Sequence, residues 1–278
     1  MKVIKQILKL IGILIIPYLV QILAFIGFGI VKGVSAVLKG GNEEIMTQNI
    51  LNDLAEVTPL ILLISSLIVI FIFYIVHTGK NTPSMKEAYR FNAFENGHLP
   101  YTLGLGLLVF CFSIACSGLF DLASLDPETA ESLSALVVND SALLTILTVG
   151  IVVPISEEIV FRGSVMKNLS KNIPMVWVII IQAVIFSVYH FNLVQAFPTL
   201  VIGLVMGFAV YFTGSIYAGI LIHMINNSIA VILSYVMPED FYLSSGMNIT
   251  IIIISGSLLL YIIKKLHASR VQFQPISE

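Results

Sequence analysis

Charge is scarce in this sequence. Asp, Glu, Lys and Arg supply 11% of its 278 residues, where a water-soluble domain carries roughly a quarter. That shortage excludes a soluble globular enzyme, and a net charge of -2 excludes a strongly basic nucleic-acid binder or peripheral protein. Cysteine is equally sparse. Cys111 and Cys116 share one apolar run at a spacing that puts them on different helix faces, so they read as packing residues. No internal repeat or low-complexity linker divides the chain, and the H-E-x-x-H pair of zinc-dependent helices is absent.

Aliphatic side chains fill the space that charge leaves. Hydrophobic residues make up 58% of the chain, and mean hydropathy is +0.99. A spanning helix needs roughly 20 apolar residues, and eight segments approach that length: about 7–31, 58–77, 100–120, 142–166, 174–191, 196–212, 215–236 and 249–266. The reading is all-α, a polytopic transmembrane helical bundle of about eight spans. Its first run follows Lys2, Lys5 and Lys9, exceeds a signal-peptide core in length and shows no small-residue cleavage site, so it is expected to be retained as a span.

Short-loop Lys and Arg set orientation in a membrane. Lys2, Lys5 and Lys9, then Lys80, Lys86 and Arg90, then Lys167 and Lys171, then Lys264, Lys265 and Arg270 fall in alternate connections. The intervening loops carry Asp121, Asp126, Glu128, Glu131 and Asp140, or Glu239 and Asp240. Both termini are therefore expected in the cytoplasm. The segment after span one, with Lys32 beside Asp53 and Glu56, is mixed in charge and is expected to form an interfacial helix.

With the loops assigned, Glu157, Glu158 and Arg162 are the charged residues left inside an apolar segment, in "PISEEIVFRG". A charge at a helix centre costs about 2.5–3.5 kcal/mol on insertion scales and normally faces the bundle interior. Glu158 and Arg162 are i and i+4 and can pair on one face. Glu157 lies about 100° round the helix, free of that pairing. Spans four and five form a hairpin that turns near Asn172 to Pro174, so Glu157 and His190 sit equidistant from the turn and can face each other. On span seven, His223 and Asn227 are again i and i+4. Phe186 stands below His190 and is expected to shape the cavity. Pro154, one turn before Glu157, is expected to kink the helix or loosen its hydrogen bonding. Gly203, Gly207, Gly214 and Gly219 are expected to permit close helix packing.

A carboxylate and an imidazole around a shielded water suit general-base activation. A second imidazole with a side-chain amide supplies donors for an oxyanion. Glu157, His190 and His223 are also zinc-ligand types. From the residues alone, a metal site and a metal-independent mechanism both stay open.

"EEIVFR" is similar to the EExxxR motif, "FSVYH" to FxxxH and "HMINN" to HxxxN of the CPBP family, the CAAX-protease and bacteriocin-processing (Abi) intramembrane endopeptidases. The three motifs occur in order on consecutive polar-bearing spans. The resemblance covers about residues 140–236, a catalytic core of spans four to seven, between an N-terminal part (1–139) and a last span with its tail (237–278). It implies a multi-pass enzyme of a bacterial plasma membrane that cleaves a peptide or lipid-modified protein. By motif position it implies that Glu157 and His190 activate water, that His223 and Asn227 stabilise the oxyanion, and that Glu158 and Arg162 support them. The family's chemistry is described both as metalloprotease and as metal-independent. A non-enzymatic bacteriocin-immunity or sensor-regulating protein of the same fold is the alternative, and a proton-relay transporter a third.

Overall fold

The computed structural model describes residues 2–39, 43–80, 82–138, 141–238 and 241–269. Asp140, Glu239, Asp240 and Arg270, assigned above to loops, lie outside the described residues, as does the side chain of Lys2. The described residues contain helices and no strand. Among the described residues eight helices form the bundle: α1 (Lys2–Lys39), α2 (Glu43–Ile75), α3 (Leu99–Leu119), α4 (Ala142–Leu169), α5 (Met175–Val188), α6 (Leu193–Thr213), α7 (Ile216–Val236) and α8 (Ser245–Ala268). Seven are long and apolar enough to cross a membrane. The exception is α5, whose 14 residues reach about 21 Å at the α-helical rise.

Local chemistry sets these boundaries. At the α6–α7 hairpin, Gly214 adopts φ +67°, a left-handed conformation open to glycine without a Cβ penalty, and Ser215 Oγ accepts from the Tyr217 N–H to start α7. Gly214 thus ends a helix, where a packing role was expected. Gly203 and Gly207 do pack closely, against Ala183 and Ile179 of α5. The expected interfacial helix is instead the first part of α2, which runs on unbroken into the second span. Lys32 Nζ bonds Asp53 at 2.7 Å across the α1–α2 hairpin.

α3 packs on α6, α7 and α8, and α4 sits between α2 and α7. Side chains such as Leu8, Leu19 and Leu23 on α1 and Leu260 on α8 are exposed, as a lipid-facing surface requires. One end of the bundle gathers the basic connections. There Gln6 Nε2 donates to Asn168 O at 2.7 Å, Ser215 Oγ donates to Asn92 O, and His98 Nε2 lies 3.1 Å from Ser269 Oγ.

Candidate active site

α4 carries the two glutamates, and it is not a plain α-helix. The α-helical turns Ala142–Thr145, Val153–Glu158 and Met166–Leu169 alternate with π-wound stretches Ile146–Val152 and Ile159–Val165. In π winding each N–H bonds five residues back, and the Val153 N–H donates to Thr148 O in that register. The next donor would be residue 154, but Pro154 has no N–H. Val149 O is left over, and Asn227 Nδ2 donates to it from α7 at 3.1 Å. Its neighbour Ser228 Oγ donates to Gly150 O at 3.2 Å. These two α7 side chains close the gap that Pro154 opens, one turn before Glu157.

Within Val153–Glu158 the winding is α-helical, so Glu157 and Glu158 point about 100° apart. The Glu158 and Arg162 side chains are both 0% exposed, and Arg162 Nη1 donates to Glu158 Oε1 at 2.6 Å. Arg162 Nη2 donates to Gly203 O at 3.2 Å, a carbonyl shared with Gln182 Nε2 at 2.9 Å. The guanidinium lies 4.8 Å over the Phe186 ring, a cation–π contact in a dry setting. Gly219 leaves room for the carboxylate, since a Cβ there would stand 2.4 Å from Glu158 Oε2.

Glu157, with its side chain 23% exposed, lines a cleft of about 30 Å³ between α1, α2 and α4, enough for a water molecule. His223 bridges the two carboxylates: Nδ1 is 3.1 Å from Glu158 Oε1 and Nε2 is 3.6 Å from Glu157 Oε2. Asn227 shares the His223 face, but its amide nitrogen is turned to Val149 and its oxygen accepts from Asn226 Nδ2 at 3.0 Å.

His190 is held by the turn that follows α5. Among the described residues no ion pair joins it to Glu157; the imidazole beside Glu157 is that of His223. α5 stops at Val188, and His190 lies in the turn beyond it. Its Nδ1 is 2.8 Å from Phe186 O. Phe191 follows at φ +52°, and Asn192 holds the turn by donating to His190 O at 2.8 Å while accepting from the Gln195 N–H. Phe186 contacts both imidazoles edge-on, with centroids 4.9 Å from His190 and 5.8 Å from His223.

The zinc reading requires Glu157, His190 and His223 to converge on one point. His190 does not join the Glu157–His223 pair, and both His223 nitrogens lie against carboxylates. Among the described residues no group of three or more His, Cys, Asp and Glu side chains is arranged to hold a metal. The donor set as folded does not fit zinc, and no step is routed through a metal below.

Four polar cleft residues fall outside the sequence motifs: Gln21 on α1, Ser65 and Ser66 on α2, and Ser156 on α4. Their signal was available as polar residues in the middle of apolar spans, as in "LLISSLIVI", but serine and glutamine are common interhelical contacts in membranes and carry no motif.

Residues 139–229 match the family model described as type II CAAX prenyl endopeptidase, Rce1-like. This segment runs through Glu157, His190, His223 and Asn227, so the resemblance carried by the three motifs is shown over the helices that build the site. With its seven membrane-length apolar helices, the chain is an integral, multi-pass membrane protein carrying an Rce1-like segment. No curated protein and no solved structure matches the chain.

Proposed function

We propose that this protein is an intramembrane endopeptidase that hydrolyses a peptide bond of a membrane-associated, lipid-modified protein or peptide. The observation that carries the reading is the division of labour at Glu157–Glu158: one carboxylate is locked to arginine at zero exposure, and its neighbour opens onto a cleft with an imidazole at its side. The family match supports prenylated protein as the substrate class.

In the proposed reaction Glu157 takes a proton from a water held in the cleft, and the water oxygen adds to the scissile carbonyl carbon. The carbonyl π electrons move to its oxygen. Glu158, fixed by Arg162, orients His223 through Nδ1. A proton on His223 Nε2 balances the second carboxylate and is available to the developing oxyanion. When the tetrahedral intermediate collapses, the C–N bond breaks and the leaving amine takes the proton held by Glu157. His190 has Nδ1 engaged by Phe186 O and offers only Nε2 to the water. Asn227 holds the π-wound helix that aims Glu157. Residues 140–236 serve as the catalytic core on this reading, and the end of the bundle with the basic connections faces the cytoplasm.

The test is to incubate purified protein and its Glu157→Ala variant with a CAAX-type peptide bearing a prenylated cysteine, and with a membrane proteome. New termini are identified by mass spectrometry. The wild type is expected to generate termini that the variant does not; equal cleavage by both would defeat the reading. Treatment with a strong chelator is expected to leave cleavage unchanged, and loss restored only by added zinc would show that the donors rearrange around a metal.

A further inference from the structure

The cleft beside Glu157 has a second polar wall, from helices outside the matched segment. Gln21, Ser65 and Ser66 form that wall, Ser156 of α4 adjoins it, and among the described residues none of these side chains makes a hydrogen bond. Many hydroxyls in the bundle fold back on their own helix, as Thr58 donates to Leu54 O at 2.7 Å, Thr102 to His98 O at 2.9 Å and Thr213 to Ala209 O at 2.8 Å. That is the ordinary way a helix satisfies a hydroxyl in an apolar setting. Ser65 is fully buried and its Oγ has no partner. Ser113 and Thr148 share with it a buried hydroxyl without a partner but lie away from the cleft lining. A buried hydroxyl without a bond is unfavourable unless something else supplies the bond. Ser65 and Ser66 lie halfway along the Glu56–Ile75 span, and they meet the only α4 carboxylate that opens onto a cleft.

A hydrolytic site needs donors at the carbonyl oxygen across from its base. In this fold the Asn227 amide is turned to Val149 and Asn226, so the cleft hydroxyls are the groups that can join His223 Nε2 as donors. We propose that Gln21, Ser65 and Ser66 form a main-chain subsite for the scissile peptide. The Ser65 and Ser66 hydroxyls donate to the carbonyl oxygen as it gains charge, and the Gln21 side-chain amide pairs with the adjacent peptide group. The subsite accepts backbone rather than a particular side chain, so it positions any extended peptide entering between α1 and α2. This inference rests on the endopeptidase reading.

Two readouts test it with a prenylated CAAX-type peptide as probe. First, Ser65→Ala/Ser66→Ala is expected to lower kcat about 100-fold while KM moves little, the pattern of donors used in the transition state. Unfolding temperature and gel-filtration profile serve as the fold check. Second, in a Cys111→Ala/Cys116→Ala background, Gln21→Cys, at the half-buried wall of the cleft, is expected to react with a small water-soluble thiol reagent, and saturating peptide is expected to slow that reaction. A double variant with wild-type kcat and KM, while Glu157→Gln remains inactive, would overturn the subsite and leave the endopeptidase reading standing. Reduced kcat with no protection by peptide would also overturn it, as a packing effect. Protection without cleavage by the wild type would keep the subsite and remove the endopeptidase reading.

Discussion

On the Glu158 side of the Val153–Glu158 turn, the charged groups are tied to one another, Glu158 to Arg162 and His223, Arg162 to the Gly203 carbonyl and the Phe186 face, with Glu158 Oε2 and Arg162 Nε left over. On the Glu157 side, one residue earlier, the carboxylate and four neighbouring polar side chains face a cleft with their bonding capacity largely unused. A buried ion pair is weak evidence of net stability, but removing one partner is severe, because it leaves an uncompensated charge. Unused polar capacity inside a membrane points to a ligand or a reaction. The same residue type, at adjacent positions, is thus locked to an arginine on one face and opens onto a cleft on the other.

The sharpest way to break this contrast is Arg162→Ala. It leaves Glu158 buried without its cation, and a loss of about 3–5 kcal/mol is expected, read as a collapse in unfolding temperature or in accumulated protein. Near-normal unfolding would mean that Glu158 is not the structural carboxylate. Gly219→Ala comes next. Its new Cβ would meet Glu158 Oε2 at 2.4 Å and Val210 Cγ2 at 2.9 Å, an overpacking worth about 1–3 kcal/mol. The same change at Gly12 on α1, where nothing lies within 4 Å of the added Cβ, is expected to be silent.

A smaller effect sharpens the role of Asn227. Asn227→Ala is expected to cost about 1 kcal/mol through the lost bond to Val149 O. In a Pro154→Ala background the restored N–H can serve that carbonyl, so the cost of Asn227→Ala is expected to shrink, a coupling that a double-mutant cycle measures. An equal loss of turnover in both backgrounds would make Asn227 a donor to substrate instead. Smallest is Lys32→Ala. Its pair with Asp53 is 38% and 42% exposed, and a change below about 1 kcal/mol is expected in thermal unfolding.

Much of the bundle was readable because the apolar length of a span is set by the bilayer itself. The Glu158–Arg162 pair and the freedom of Glu157 followed from helical geometry alone, since the winding at 153–158 is α-helical. The turn that carries His190 was not legible, because residues 189–191 leave the helix in a turn held by Asn192, a tertiary choice that an apolar run does not encode. Asn227 likewise makes a contact that its own helix does not encode. Its i,i+4 spacing to His223 put both on one face, but the carbonyl it serves exists only because Pro154 interrupts π winding on another helix. Gln21, Ser65 and Ser66 escaped because they come from spans without a motif and acquire meaning only when α1 and α2 close over Glu157.

The central claim, that Glu157 does the chemistry and Glu158 holds the structure, is tested most directly by measuring turnover and thermal unfolding together on Glu157→Gln and Glu158→Gln. Glu157→Gln is expected to lose at least about 100-fold in kcat, the span of general-base catalysis, with an unfolding temperature close to wild type. Glu158→Gln is expected to lower the unfolding temperature sharply. An active Glu157→Gln enzyme, or a Glu158→Gln protein as stable as wild type, would contradict the assignment.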